Sequence, residues 1–150
     1  MPKLELNAVA KIEGSDYPAP FAEPMAGRIR QALGAAGGLV DFGVNLTQLP
    51  PGAWSSQRHW HPEEDEFIYV LSGELTLITA AGEQLRRAGD CAAFPKNVAN
   101  GHHMINRGSV VATCLDIGSR SARGLCTYSD IDMQADGDDY LHKDGSRYPR

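Results

Sequence analysis

The stretch SSQRHWHPEEDEFIYVLSG, residues 55–73, sets two imidazoles and a carboxylate against an apolar strand. In an extended chain residues i and i+2 share a face, so His59 and His61 stand side by side with Gln57 below them. Arg58 and Trp60 then point the other way. Pro62 has no amide proton and ends that strand, and Glu63, Glu64 and Asp65 make a polar turn. The following run places Glu66, Ile68 and Val70 on one face and Phe67, Tyr69 and Leu71 on the other. If the turn folds back, Glu66 returns beside the two imidazoles at the mouth of an apolar pocket, where a buried carboxylate needs a cation.

A second histidine pair lies in NGHHMIN, residues 100–106. His102, Met104 and Asn106 share one strand face, and His103 and Ile105 share the other. Three neutral imidazoles with one carboxylate form an N3O set, suited to one divalent transition metal such as Zn, Mn, Fe or Ni with a position left open. The expected ligands are His59, His61, Glu66 and His102, with His103 as the other candidate for the third imidazole. Gln57, Met104 and Asn106 are the candidates for contacts to those ligands or to a substrate.

Around these motifs run short segments rich in Val, Ile, Leu, Phe and Thr, each bounded by Gly, Pro, Asn or Asp. Strands are expected at Asp41–Leu49, Ser55–His61, Glu66–Ser72, Glu74–Thr79, Glu83–Arg86, Asp90–Phe94, His102–Asn106 and Val110–Ile117. Such close spacing suits an antiparallel barrel or jelly roll, with no room for crossover helices. The reading divides the chain into an N-terminal arm (1–38), a barrel (39–118) and a tail (119–150) that packs on the barrel or on a partner subunit. In the arm, Pro18 and Pro20 hold YPAPF extended, and Ala26–Ala36 is expected to make a short helix ended by Gly37 and Gly38. The tail, rich in Asp, reads as a solvated arm.

The 150 residues carry 14 Lys+Arg against 19 Asp+Glu, a formal charge of −5, which argues against a basic nucleic-acid footprint. No apolar run approaches the ~18 residues of a membrane span, and MPKLELNAVAKIEG lacks the apolar core of a signal peptide, so a cytoplasmic location is expected. Cys91, Cys114 and Cys126 form neither a disulfide framework nor a CxxC pair and read as buried, inert thiols. No Ser-His-Asp order, phosphate-binding glycine loop or HExxH helix is present.

The two histidine motifs resemble those of the cupin superfamily. Gly52, His59, His61, Glu66 and Gly73 follow its first motif with one extra residue after Gly52. Gly89, Pro95, His102 and Asn106 follow its second, although Asn97 replaces a Gly, Asn100 stands where the His would fall and His102 comes two residues late. The stretches SSQRHWHPEEDEF, GDCAAFP and NGHHMIN, with YPAPF and HKDGSRY, resemble an uncharacterised bacterial family of single-domain metal-binding cupins. The resemblance implies an all-β double-stranded β-helix, a bound metal and a homodimer. The function expected is metal-assisted isomerase, lyase or dioxygenase chemistry on a small, anionic metabolite, and the alternative is a non-catalytic small-ligand binding or sensor cupin.

Overall fold

The strand-forming runs pair into three antiparallel sheets in the computed structural model, which describes residues 3–149. Met1, Pro2 and Arg150, the outer ends of the arm and the tail, lie outside the described residues. The arm contributes β1 (Ile12–Glu13), β2 (Ile29–Ala32) and a single helical turn, α1 (Leu33–Ala36). The barrel follows with β3 (Phe42–Leu49), β4 (His59–Trp60), β5 (Glu66–Ser72), β6 (Glu74–Thr79), β7 (Gly82–Arg87), β8 (Cys91–Phe94), β9 (His103–Ile105) and β10 (Ala112–Ser119). The tail adds β11 (Cys126–Tyr128), β12 (Gln134–Asp136) and β13 (Asp139–Leu141). A six-stranded sheet runs β1-β2-β3-β10-β5-β8, a four-stranded sheet β13-β12-β11-β4, and a three-stranded sheet β7-β6-β9. This is the jelly-roll architecture expected from the spacing of the strand runs.

The apolar core lies between the six- and three-stranded sheets. Leu49, Val70, Leu75, Met104 and Ala112 are fully buried there, with Ile68, Leu77 and Cys114 beside them. Period two explains the selection: on β5, Ile68 and Val70 point inward, and Phe67, Tyr69 and Leu71 stay exposed. Burying a side chain of this size contributes roughly 1.5–3 kcal/mol, so the inward set dominates the barrel's stability. Cys114 and Cys126 are buried, whereas Cys91, at the start of edge strand β8, is exposed rather than in the core.

Three expectations are corrected. The helix over Ala26–Ala36 is confined to its last turn, because Ile29–Ala32 pairs with β3 instead, Arg30 opposite Thr47 and Gln31 opposite Leu46. Gln31 is drawn in by the arm's backbone, its Nε2 donating to the Leu6 and Val9 carbonyls at 2.8 and 3.1 Å. The strand expected over Ser55–His61 shortens to His59–Trp60, since Ser55 is fastened to Met104 through both its amide and its hydroxyl and the chain bends over 55–58. The tail packs on the barrel, and it does so through strands and a core of its own rather than as a solvated arm. β11 pairs with β4, Thr127 opposite Trp60 and Tyr128 opposite His59, and Cys126, Tyr128 and Met133 form a second core with Tyr17 and Phe21 of the N-terminal arm.

Candidate metal centre

Three elements bring three imidazoles onto one carboxylate oxygen. His59 and His61 come from β4 and the residue after it, and Glu66 opens β5. His102 precedes β9 and is bridged to His59 by a reciprocal backbone pair, His59 N to His102 O at 3.1 Å and His102 N to His59 O at 2.8 Å. Glu66 Oε1 lies 2.6 Å from His61 Nε2, 3.1 Å from His59 Nε2 and 3.5 Å from His102 Nε2. His103 faces elsewhere: its Nδ1 donates to the Ser56 carbonyl at 2.9 Å, and its ring meets Trp54 edge to face.

The hydrogen bonds fix how the rings present their nitrogens. His59 Nδ1 lies 2.8 Å from the Gln57 carbonyl and His61 Nδ1 lies 3.1 Å from the Leu125 carbonyl. A carbonyl only accepts, so each Nδ1 carries the proton, and a neutral ring turns its Nε2 lone pair toward Glu66. His102 is 2% exposed, its ring stacked on Phe94 at 3.5 Å, and neither ring nitrogen has a hydrogen-bond partner. Lone pairs converging on a carboxylate repel unless protons or a cation intervene, and an orphaned buried imidazole is costly. This donor set fits a divalent transition ion, with carbonyl-anchored Nδ1 atoms orienting the ligands. Cys126 also lies within 4.8 Å of His59 and His61, ligand atom to ligand atom.

Charge at the site follows from burial and pairing. Burial pushes the Glu66 carboxyl up, but its contacts with His102, His59 and His61 outweigh this and hold it well below the ordinary carboxylate range. Burial works against a charged His61, yet Glu66, the Leu125 carbonyl and Glu64 together leave its pKa raised. His102 is lowered, chiefly by burial. Burial pushes the Cys126 thiol up to about 12, which makes it an inert group at neutral pH.

The group opens into a cavity of about 350 Å³. Its lining includes residues that sequence reading missed: Arg28 and Arg30 from the arm, Thr47 on β3, Asp116 on β10, and Tyr17 and Tyr128 from the arm and tail. Antiparallel register carries the sheet's contribution, placing Arg30 opposite Thr47 and Thr47 opposite Cys114. Alternation along β10 then puts Asp116 on the face of Cys114. Burial and the charge of Glu66 raise the Asp116 carboxyl above its ordinary pKa. Of the expected contact residues, Gln57 touches the ligand His59 through its carbonyl, but the three side chains lie elsewhere. Gln57 Nε2 donates to the Phe21 carbonyl at 2.9 Å, Met104 fills the core, and Asn106 Nδ2 donates to the Leu49 and Val110 carbonyls at 2.7 and 2.8 Å. None of these three lines the cavity. Met104 and Asn106 share the strand face of His102 but sit deeper, where the barrel is apolar.

Residues 45–118 match the family described as Cupin domain. A solved structure from Silicibacter pomeroyi, named a sugar phosphate isomerase from a cupin superfamily, is 45% identical and superposes with a TM-score of 0.94 over 99% of this chain and 97% of that one. The chain belongs to the cupin superfamily. A second cupin-like structure, from Acidithiobacillus ferrooxidans, bears a name that proposes a sugar phosphate isomerase; it is 32% identical over 83% of this chain and 82% of its own, with a TM-score of 0.73. The polyketide cyclase RemF of Streptomyces resistomycificus, 16% identical with a TM-score of 0.69 over 87% of each chain, shares the cupin fold alone. Among curated proteins, the endoribonuclease YbeY of Myxococcus xanthus is 33% identical over 69 residues, and this cupin spans 23% of its length.

Proposed function

We propose that this cupin is a metal-dependent enzyme that isomerises a small anionic hydroxy-carbonyl compound. The observation that carries the reading is the convergence of His59, His61 and His102 on Glu66 at the edge of a polar cavity. Among isomerase, lyase and dioxygenase chemistry, the name of the 45%-identical Silicibacter protein favours isomerisation. His59, His61, Glu66 and His102 would hold a divalent ion, which would supply Lewis-acid polarisation of a carbonyl. Asp116, a half-buried carboxylate in the same cavity, takes the proton from the hydroxyl-bearing carbon beside that carbonyl and returns it to the carbonyl carbon, while the hydroxyl proton passes from one oxygen to the other. Tyr17 and Tyr128, packed edge to face with centroids 5.5 Å apart, exclude water from one side.

Metal analysis of untagged protein tests the centre first. About one divalent ion per chain is expected, and the His59→Ala, His61→Ala double variant is expected to lose it; full retention by that variant would sink the assignment. With the native metal loaded, screening aldose and ketose phosphates reads the reaction, and Asp116→Asn should lower kcat by about 10²–10⁴-fold. Oxygen consumption coupled to turnover would replace isomerisation with the dioxygenase reading.

The proposal extends to assembly as a homodimer. Phe67 and Tyr69 on the outer face of β5 neighbour Ile117 and Leu115 of β10 and Ala93 and Cys91 of β8, an apolar surface that a second copy would cover.

A further inference from the structure

The cavity holds a second set of polar groups that the metal centre leaves unused. Arg28 is 7% exposed, and its guanidinium donates from Nη1 to the Ser55 carbonyl at 2.6 Å and from Nη2 to the Gly14 carbonyl at 2.9 Å. Both partners are neutral. Burial, with the charge of Arg30 beside it, pushes the Arg28 guanidinium down to about 10. Arg30 has Asp116 as its ion-pair partner, but Nη2 and Oδ2 are 3.8 Å apart, beyond a hydrogen bond. Asp16 at the same cavity accepts from Tyr140 Oη at 2.7 Å.

Four buried polar atoms beside these charges have no partner: Arg28 Nε, Arg30 Nε, Thr47 Oγ1 and Ser15 Oγ. All four residues line the cavity, and Thr47 is only 1% exposed. Among the described residues, the other buried side-chain atoms in this state belong to His102 of the metal centre and to Arg86. Leaving such groups unpaired is costly, most of all next to a buried cation without a hydrogen-bonded counter-charge. Two guanidinium groups and two hydroxyls around one cavity complement a planar or tetrahedral oxyanion.

We infer that Arg28, Arg30, Thr47 and Ser15 form an oxyanion subsite that grips the phosphate or carboxylate end of the substrate. The other end of that molecule then reaches the His59, His61, Glu66 and His102 group, a placement that rests on the function proposed above. The subsite itself rests only on residues of the arm and β3. It makes the arm a determinant of substrate class, selecting small molecules with one anionic terminus over neutral sugars.

Calorimetric titration of the full chain with inorganic phosphate, and separately with acetate, tests the subsite, on protein as purified and again after chelation. Binding of at least one anion is expected in both states, and the tighter of the two identifies the terminus. Arg30→Gln should weaken that binding at least about tenfold, with circular dichroism and metal content unchanged. Thr47→Val, which removes the hydroxyl at constant shape, should weaken it in the same direction without touching the fold. Failure of both anions to bind, or wild-type affinity in Arg30→Gln, would overturn the subsite. Loss of the metal reading alone would show as metal-free protein that still binds the anion through Arg30.

Discussion

A methyl group added at Gly73 would sit 2.8 Å from the Ala112 Cα and 2.9 Å from the Val111 carbonyl oxygen, on a backbone with φ of +70°. The turn between β5 and β6 therefore tolerates neither the side chain nor the conformation of another residue. Gly73→Ala should lower stability by about 1–3 kcal/mol, read as a shifted urea midpoint with unchanged metal content; an unshifted midpoint would show that the turn relaxes freely. Gly73, His59, His61 and Glu66 were all legible in the sequence, because one turn and two strands fix them locally. His102 was legible by parity, although its neighbour His103 offered the same chemistry, and only the pairing of His102 with His59 separates the two. Arg28, Arg30, Thr47 and Asp116 were not. Their shared cavity depends on register across β2, β3 and β10, and nothing local in the chain records which strands become neighbours.

Among the elements, β2 was misread because GRIRQALGAAGG carries helix formers, and its strand state is imposed by pairing with β3. β11 to β13 were missed for a related reason: Asp and Gly dominate the tail, and its strands are short and held by packing on Tyr17 and Phe21. One charged clamp ties that tail to the segment leading into β4. Arg58 reaches Asp130 through Nε at 3.0 Å and Nη2 at 2.9 Å, and its Nη1 donates to the Gly101 carbonyl at 3.1 Å. The hydrogen bond from Arg58 holds the Asp130 carboxyl below its ordinary pKa. A depressed carboxyl contributes stability that is complete above its unfolded pKa of about 4. That contribution is lost as pH falls through the folded value. Asp130→Asn should accordingly cost about 1 kcal/mol or less near neutrality, since Asp130 is largely exposed and screened. The gap between wild type and variant should close in acid. Thermal melts of both proteins across that range provide the check, and a gap that widens in acid would contradict the clamp.

At the scale of the whole molecule, three sheets enclose two apolar cores and leave the outer face of β5 uncovered. Phe67, Tyr69 and Leu71 are 36%, 39% and 44% exposed, so a water-facing strand carries three large apolar side chains in alternation. Light scattering should give twice the chain mass, and Tyr69→Lys with Leu71→Lys should shift it to that of one chain. A monomer at every concentration would remove the homodimer. No helix among the described residues is long and apolar enough to cross a membrane.

The seam between β4 and β11 holds only two residue pairs, against eight between β3 and β10. Because Tyr128 on that seam faces His59 with ring centroids 5.9 Å apart and both line the cavity, this short ladder is also one of the cavity's walls. Local opening there costs far less than global unfolding. Fraying of this two-rung seam would loosen one wall of the cavity while the eight-rung pairing of β3 with β10 stays closed.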